Sequence, residues 1–449
     1  MPPYLVSAPQ QGIVHYVEEV IAATDPTVVF YQRGTARLTA QTAVTPIAFG
    51  DPPLLNSNGV HEPLALRVIL QLVLEDGTVG LGESTGGTVR LERLHAAAKA
   101  VVGMDVFDST AVTAAVDAAL LPTVPSSHER GWSTSAVEVA CLDAQGKLLG
   151  RPVSDLLGGK VRDAVPFAAY LFYKWAEHPA LDGRAAIGDD WSEALDPAGI
   201  VEQARLMQER YGFRSFKLKG GVFPPDEEIA AMRALAQAFP GQPLRLDPNV
   251  AWTVQTSTYV ARELDGVLEY LEDPARGIAG MAEVAKDSPM PLATNMCVIA
   301  WEHLKPAVEQ NAVQVLLTDH HYWGGLRRTR EMAAVCEAFG LALPMHSNSH
   351  LGISLAAMTH VAAAIPNLDH SCDRHYPWSS ADDVIVPGVL ELRDGEVKVP
   401  TGPGLGVELD HDQLERLHRR YVDSGMRGRD DTGYMRRFQP DYELKLPRW

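Results

Sequence analysis

Cysteine is scarce in this chain. Cys141, Cys297, Cys336 and Cys372 are scattered over 449 residues with no CxxC pair among them, so neither a zinc ribbon nor a disulfide framework is implied. Long apolar runs are missing too: none reaches the roughly 18 residues that a membrane-spanning helix needs. The opening, Met1-Pro2-Pro3-Tyr4, lacks the basic-then-apolar order of a secretory leader, and a cytoplasmic protein is expected. Positive charge is outweighed, with 39 Lys and Arg against 57 Asp and Glu and a formal net charge of −18. That balance argues against nucleic acid and anionic membranes as partners. An anionic small molecule would have to be drawn in by a local cluster of Lys, Arg and metal.

What is present fits a globular enzyme: 46% hydrophobic and 21% charged residues lie near the averages for folded proteins. The length predicts two domains, or a barrel with additions. From residue 213 onward a grammar repeats, in which a short apolar run ends in a polar residue and a helical stretch follows. The runs are 213–219, 244–249, 268–272, 291–295, 313–319, 341–346 and 368–375. Their polar ends, at 219, 247, 272, 295, 319, 346 and 375, are spaced by 28, 25, 23, 24, 27 and 29 residues, one strand, loop and helix each. Seven units without a switch in pattern predict a closed parallel barrel rather than an open doubly wound sheet.

Ahead of the barrel, 66–74, the turn Glu75-Asp76-Gly77-Thr78 and 79–83 read as a hairpin, and helical patterns follow over 91–121 and 133–149. We expect a non-catalytic leader over 1–38, an α+β capping domain over 39–165, the barrel over 166–388, and a segment, 389–449, returning to the capping domain. In that last segment 389–392, the Asp394-Gly395 turn and 397–399 read as a second hairpin.

Strand ends of a barrel converge on one face. There Asp247, Glu272 and Asn295 offer three oxygen ligands from successive strands, a set suited to Mg2+. Singly, each is as well explained by a helix cap or a loop hydrogen bond. Lys217 and Lys219 point to one face of a strand, where mutual repulsion would lower the pKa of one and allow it to act as a base. Asp319 ends the run before that of His346 and could orient the imidazole. The HxxxH formed by His346 and His350 is too weak to signal a transition metal, and Gly402-Pro403-Gly404-Leu405-Gly406 is a turn rather than a phosphate loop.

The strand ends Phe216-Lys217-Leu218-Lys219, Leu246-Asp247-Pro248-Asn249, Leu271-Glu272-Asp273-Pro274, Ala293-Thr294-Asn295-Met296 and His346-Ser347-Asn348 resemble those of the glucarate dehydratase family, in the mandelate racemase branch of the enolase superfamily. The resemblance runs from about residue 42 to about 440 and implies a (β/α)7β TIM barrel under an α+β cap. It implies Lys219 and His346 as bases, Asp319 orienting His346, Lys217 as an electrostatic helper, and Mg2+ on Asp247, Glu272 and Asn295. For an acid-sugar substrate it implies His61 in Asn58-Gly59-Val60-His61, Tyr170 in Ala169-Tyr170-Leu171-Phe172, Lys217, Asn249, Ser347, Asn348, His375 in Asp373-Arg374-His375, and Arg429 in Gly428-Arg429-Asp430-Asp431, with Asn249 beside the bases. It offers no counterpart within 121–131 for the family's substrate-binding threonine. The leader, Pro3-Tyr4-Leu5-Val6-Ser7-Ala8-Pro9-Gln10 through Tyr31-Gln32-Arg33-Gly34, resembles a fragment of 5-dehydro-4-deoxyglucarate dehydratase without its Schiff-base lysine.

The expectation is therefore a hydro-lyase of glucarate catabolism, forming a homo-oligomer. Three rivals remain: an epimerase or racemase using the same bases, a silent binding protein of the same fold, and an amidohydrolase barrel, whose early-strand HxH pair is absent.

Overall fold

The structure, a computed structural model, describes residues 36–449 apart from 182 and 184. The leader call therefore lies outside the described residues except at its end. Ala36 and Leu38 are buried in the core of the first domain, and Leu38 bridges to Leu74.

That domain opens with a three-stranded antiparallel sheet, β1 (Ala43–Gly50), β2 (Leu64–Val73) and β3 (Val79–Thr85), in that order. The acidic turn between β2 and β3 forms as expected: Thr78 N donates to Asp76 Oδ1 over 2.9 Å and Gly77 takes φ +87°. Helices α1 (Thr88–Ala100), α2 (Ser109–Leu120) and α3 (Ser127–Leu149) follow. The single helical stretch expected over 91–121 is two helices. Gly103, at φ +81°, turns the chain, and Asp108 caps the new helix by accepting from Ala111 N. Helix α3 begins six residues before the expected 133, where Ser126 accepts from Glu129 N. It lies directly on β3 because Gly80 and Gly82 face it. A Cβ there would stand 2.0 Å from Ala140 O and 2.2 Å from Ala136 O.

The barrel consists of β4 (Ala164–Phe172), β5 (Phe216–Lys219), β6 (Leu244–Asp247), β7 (Tyr270–Glu272), β8 (Leu292–Thr294), β9 (Val315–Leu316), a seventh segment and β10 (Cys372–Arg374). The seventh segment, 342–345, bridges in parallel to 315–318. Its Met345 O accepts from Asp373 N, and β10 pairs in parallel with β4, which closes the ring. Seven helices fill the crossovers: α4 (Pro197–Tyr211), α5 (Pro225–Ala238), α6 (Val254–Glu263), α7 (Gly277–Ala285), α8 (Trp301–Glu309), α9 (Leu326–Phe339) and α10 (Gly352–Ala364). This is the expected (β/α)7β barrel. The first strand, β4, was absent from the runs singled out in the sequence.

One expectation is corrected. The hairpin β11 (Leu392–Arg393) and β12 (Glu396–Lys398) adds to the barrel and not to the cap, since Val397 pairs antiparallel with Val165. Strand β4 is longer than its barrel neighbours, and its first three residues leave an edge free for β12. The chain then returns to the cap through α11 (His411–Ser424). There His418 Nδ1 lies 2.8 Å from Pro46 O, and Tyr421 packs on Ala48 and Leu66.

Candidate active site

The strand ends bring the expected residues together. A cavity of about 460 Å3 is bordered by His61, Tyr170, Lys219, Asn249, Asn295, His346, Ser347, Asn348, His375 and Arg429. Beneath it Lys217, Asp247 and Glu272 are fully buried. The β4–β5 register sets Tyr170 beside Lys217, whose ammonium lies 4.7 Å from the phenol ring.

The floor is a charge network. Lys217 Nζ donates to Glu272 Oε1 and Asp373 Oδ2, each over 2.7 Å, and lies 3.6 Å from Asp247 Oδ2. Lys219 Nζ donates to Asp247 Oδ2 over 2.6 Å and to Asn249 Oδ1 over 2.9 Å. Lysine–lysine repulsion is therefore not the dominant effect. Burial is the largest single effect and, with Lys217, opposes the charge on Lys219, but Asp247, Tyr170 and Glu272 together outweigh them and raise its pKa above the usual lysine value. The expected lowering is corrected for that reason. Burial, followed by the charge of Asp247, pushes Glu272 well above the carboxylate range, while Asp247 itself is held low by the two lysines against burial.

Asn295 joins this floor, donating from Nδ2 to Glu272 Oε1 over 2.5 Å. Turning its amide over would present Oδ1 in the same place. Three buried oxygen-bearing side chains thus meet, two of them carboxylates, with no sulfur or imidazole among them. That donor set fits a hard divalent cation.

His346 ends the seventh segment, its N–H donating to Thr318 O over 2.7 Å. Asp319 Oδ2 lies 3.4 Å from its Nδ1, but Asp319 has closer company. His321 Nδ1 is 2.8 Å from Oδ1 and His350 Nε2 is 3.3 Å from Oδ2. Burial disfavours the charge on Asp319, yet His350 and His321 hold its pKa well below the usual value. The carboxylate therefore serves three imidazoles, not His346 alone.

At the far wall, His61 Nδ1 and an Arg429 guanidinium nitrogen approach the same Asp51 oxygen. Burial drives the neighbouring His375 down to about 3, and neither of its ring nitrogens has a hydrogen-bond partner. A neutral His375 beside His61 and Arg429 suits an anionic or hydroxylated ligand.

Several residues that shape the site escaped the sequence reading. Arg67, fully buried in β2, donates from Nε to Ser349 O over 3.0 Å and from NH2 to Asn348 O. Its neighbour Glu83 accepts from Leu351 N and Ser354 N over 2.9 and 2.8 Å, so the cap grips the loop after His346. His128 and Tyr322 border the cavity, with Tyr322 stacked 5.9 Å from the His346 ring. His128 lies in the stretch 121–131 and enters the cavity from the first turn of α3. Only Asp373 carried a legible signal, lying in the run 368–375 two residues before His375.

With this geometry in hand, comparison with known proteins places the chain. Residues 50–158 match the family described as mandelate racemase / muconate lactonizing enzyme, N-terminal domain, and residues 199–413 match the enolase C-terminal domain-like family. The chain belongs to the enolase superfamily, whose fold of capping domain and (β/α)7β barrel it has. Within it, the chain is an enzyme of glucarate dehydratase-like kind. It is 54% identical over 424 residues to a probable glucarate dehydratase of Streptomyces coelicolor, covering 90% of this chain and 97% of the relative. A solved enolase from Mycobacterium smegmatis, complexed with tartrate, is 57% identical with a TM-score of 0.89, over 94% of this chain and 100% of that one. Another, from Thermobispora bispora and complexed with magnesium and formate, is 54% identical with a TM-score of 0.88, over 92% and 100%. No helix among the described residues is long and apolar enough to cross a membrane.

Proposed function

We propose that the chain dehydrates an acid sugar, D-glucarate foremost and L-idarate with it, to 5-dehydro-4-deoxy-D-glucarate in a Mg2+-dependent reaction. The observation that carries this is the cavity bordered by both Lys219 and His346, above the buried carboxylates and facing the wall of His61 and Arg429. A dicarboxylate matches a site with cationic groups at both ends, and the tartrate bound in the Mycobacterium smegmatis relative is a smaller molecule of that type.

The proton beside a carboxylate is too weakly acidic for lysine or histidine unless the negative charge that develops is stabilised. Mg2+ held by Asp247, Glu272 and Asn295 would neutralise these carboxylates, leave the Lys219 amine free to exchange a proton, and stabilise that charge. Lys217 adds a fixed positive charge beside it. His346 or Lys219, according to configuration, takes the proton from the carbon beside one carboxylate. The β-hydroxyl then leaves with a proton as water, and the enol so formed tautomerises to the keto acid. Asp319 keeps His346 oriented. Asn249, Ser347, Asn348, Tyr170 and His375 hold hydroxyls, and His61 with Arg429 holds the distal carboxylate. On this reading residues 39–165 and the segment after the hairpin, 399–449, cap the site, and the barrel between them carries the chemistry.

The test is an end-point assay for 2-keto acid from a panel of hexaric and aldonic acids with Mg2+, with Lys219→Ala and His346→Ala alongside. Keto acid from D-glucarate, lost in the variant that lacks the base taking its proton, is the expected result; no turnover of any hexaric acid would sink the proposal. A second reading, epimerisation, draws on the same pair of bases, which reach the cavity from the second and seventh barrel positions. Deuterium entering recovered substrate without keto acid would select it.

A further inference from the structure

We propose that the tail segment 442–449 positions Lys219, with Asn249 as the intermediary and Arg448 as the positioning residue; the proposal rests on Lys219 being one of the bases.

The loop after β6 is unusual. Asn249 and Val250 both take the left-handed conformation, at φ 54° and 57°. A β-branched residue is a rare occupant of that region, and such a conformation persists only where the surroundings hold it. The tail supplies part of that hold. Arg448 N and Trp449 N both donate to Ala251 O, over 2.6 and 3.1 Å, and Trp449 O accepts from Thr253 N over 2.5 Å. The strained pair is thus clamped on its C-terminal side by the last residues of the chain.

A second route runs through side chains. Arg448 NH2 donates to Tyr442 Oη over 2.6 Å and to Ser57 O over 3.2 Å, and the Tyr442 hydroxyl donates to Ser57 O over 3.3 Å. The buried Ser57 Oγ accepts from Asn249 Nδ2 over 3.2 Å. With its nitrogen engaged by Ser57, the Asn249 amide turns Oδ1 toward Lys219, which donates to it over 2.9 Å. The Asn249 side chain is thus held from the tail through Ser57, while its N–H donates to Asp247 Oδ1 over 3.0 Å and the tail grips the backbone two residues on, at Ala251. Tyr442 and Arg448 border a cavity of about 630 Å3 beside Asn56. Tyr442, Leu446 and Trp449 also pack on the edge of the core, so a single substitution among the polar bonds loosens the segment's grip on Ser57 without opening the barrel core.

The consequence is selective. Loosening the tail disturbs Lys219, while His346 is held by Asp319 and the grip of Arg67 on its loop, and neither touches the tail. A defect confined to one base follows, and general destabilisation would not produce it.

The experiment uses the full-length protein carrying Arg448→Ala, Arg448→Lys, or Tyr442→Phe, the last of which removes a single oxygen from the network. Lys219 accessibility to limiting acetic anhydride is followed by mass spectrometry at one fixed pH, with exposed Lys286 as internal reference. The expected result is a change of at least ~3-fold in Lys219 labelling in Arg448→Ala, partly reversed in Arg448→Lys. In parallel, Mg2+-loaded enzyme is assayed on two hexarates epimeric at the carbon that loses its proton. Turnover of one epimer is expected to fall ~10-fold in kcat with KM little changed, and that of the other to stay within ~2-fold. Unchanged Lys219 labelling, or equal slowing of both epimers, overturns the proposal. If the wild-type protein acts on neither epimer, the assigned reaction fails, and the labelling result still decides the role of the tail.

Discussion

Arg429 places a guanidinium nitrogen 2.8 Å from Oδ2 of Asp51, and His61 Nδ1 stands 3.2 Å from that same oxygen. Asp51 is buried, yet His61 and Arg429 hold its pKa below the usual carboxylate range against the effect of burial. One carboxylate thus anchors the two residues assigned to the distal end of the substrate.

Replacing Asp51 by Asn keeps the shape and removes the anchor charge. His61 and Arg429 lose their common partner, and the KM for a hexarate is expected to rise by about 10-fold with a smaller change in kcat, because the contact is made in ground and transition states alike. Aldonic acids, which lack the second carboxylate, should show little change. Arg429 is partly exposed and keeps Asp431 as a partner at 2.7 Å, so the stability lost is expected to stay near about 1 kcal/mol, to be measured by urea denaturation. An unchanged KM for every dicarboxylate would remove Asp51 and its two partners from the substrate site.

A different residue of the same wall gives a pH signature. His375 is driven down to about 3 by burial, whereas unfolded histidine titrates near ~6.5. Between those values the unfolded chain binds a proton that the folded chain does not, so this histidine's contribution to stability falls as pH drops below ~6.5 and keeps falling until pH approaches its folded value. From pH ~6.5 to ~5 the loss amounts to about 2 kcal/mol. In His375→Phe that part of the slope should vanish, as read from urea midpoints in matched buffers. An identical pH slope in the variant would show that His375 does not titrate this way.

The contrast between these residues and the strand ends shows what the sequence carries. Lys217, Lys219, Asp247, Glu272, Asn295 and His346 were legible because each closes an apolar run, and a barrel turns such ends into neighbours. Strand β4 was missed because it is apolar on both faces and continues without a break into Tyr173 and Lys174. The sign of the Lys219 shift was missed because its deciding neighbour comes from another strand, 28 residues on. Arg67 was illegible for the same reason on a larger scale: its partners Asn348 and Ser349 are 281 and 282 residues away. Local pattern gives an apolar run in β2 and no hint of what a buried arginine meets across a domain boundary.

Arg67 is accordingly the place to test how far the cap serves the barrel. Arg67→Met retains much of the stem and removes the donors to the Asn348 and Ser349 carbonyls, leaving Glu83 buried without its cation. A loss of about 3–5 kcal/mol is expected. At temperatures where the variant stays folded, kcat should fall by about 10-fold or more, since His346, Ser347 and Asn348 share the released loop. Full activity in folded Arg67→Met would mean that the loop holds itself.

The carboxylates on the floor offer a test of the metal site that does not depend on turnover. Glu272 is pushed well above the usual carboxylate range by burial and by Asp247, so a proton competes with a metal for this carboxylate. Binding Mg2+ requires the ionised carboxylate and is therefore expected to displace protons. Affinity should rise with pH, and calorimetric heats should vary with the ionisation enthalpy of the buffer. Glu272→Gln is expected to lose that buffer dependence and to weaken Mg2+ binding about 100-fold, while Asp247→Asn weakens binding and keeps a proton to release. Chelation should abolish keto-acid formation and added Mg2+ restore it. Equal Mg2+ affinity in wild type and both variants would place the ion elsewhere and separate Lys219 from the proposed metal site.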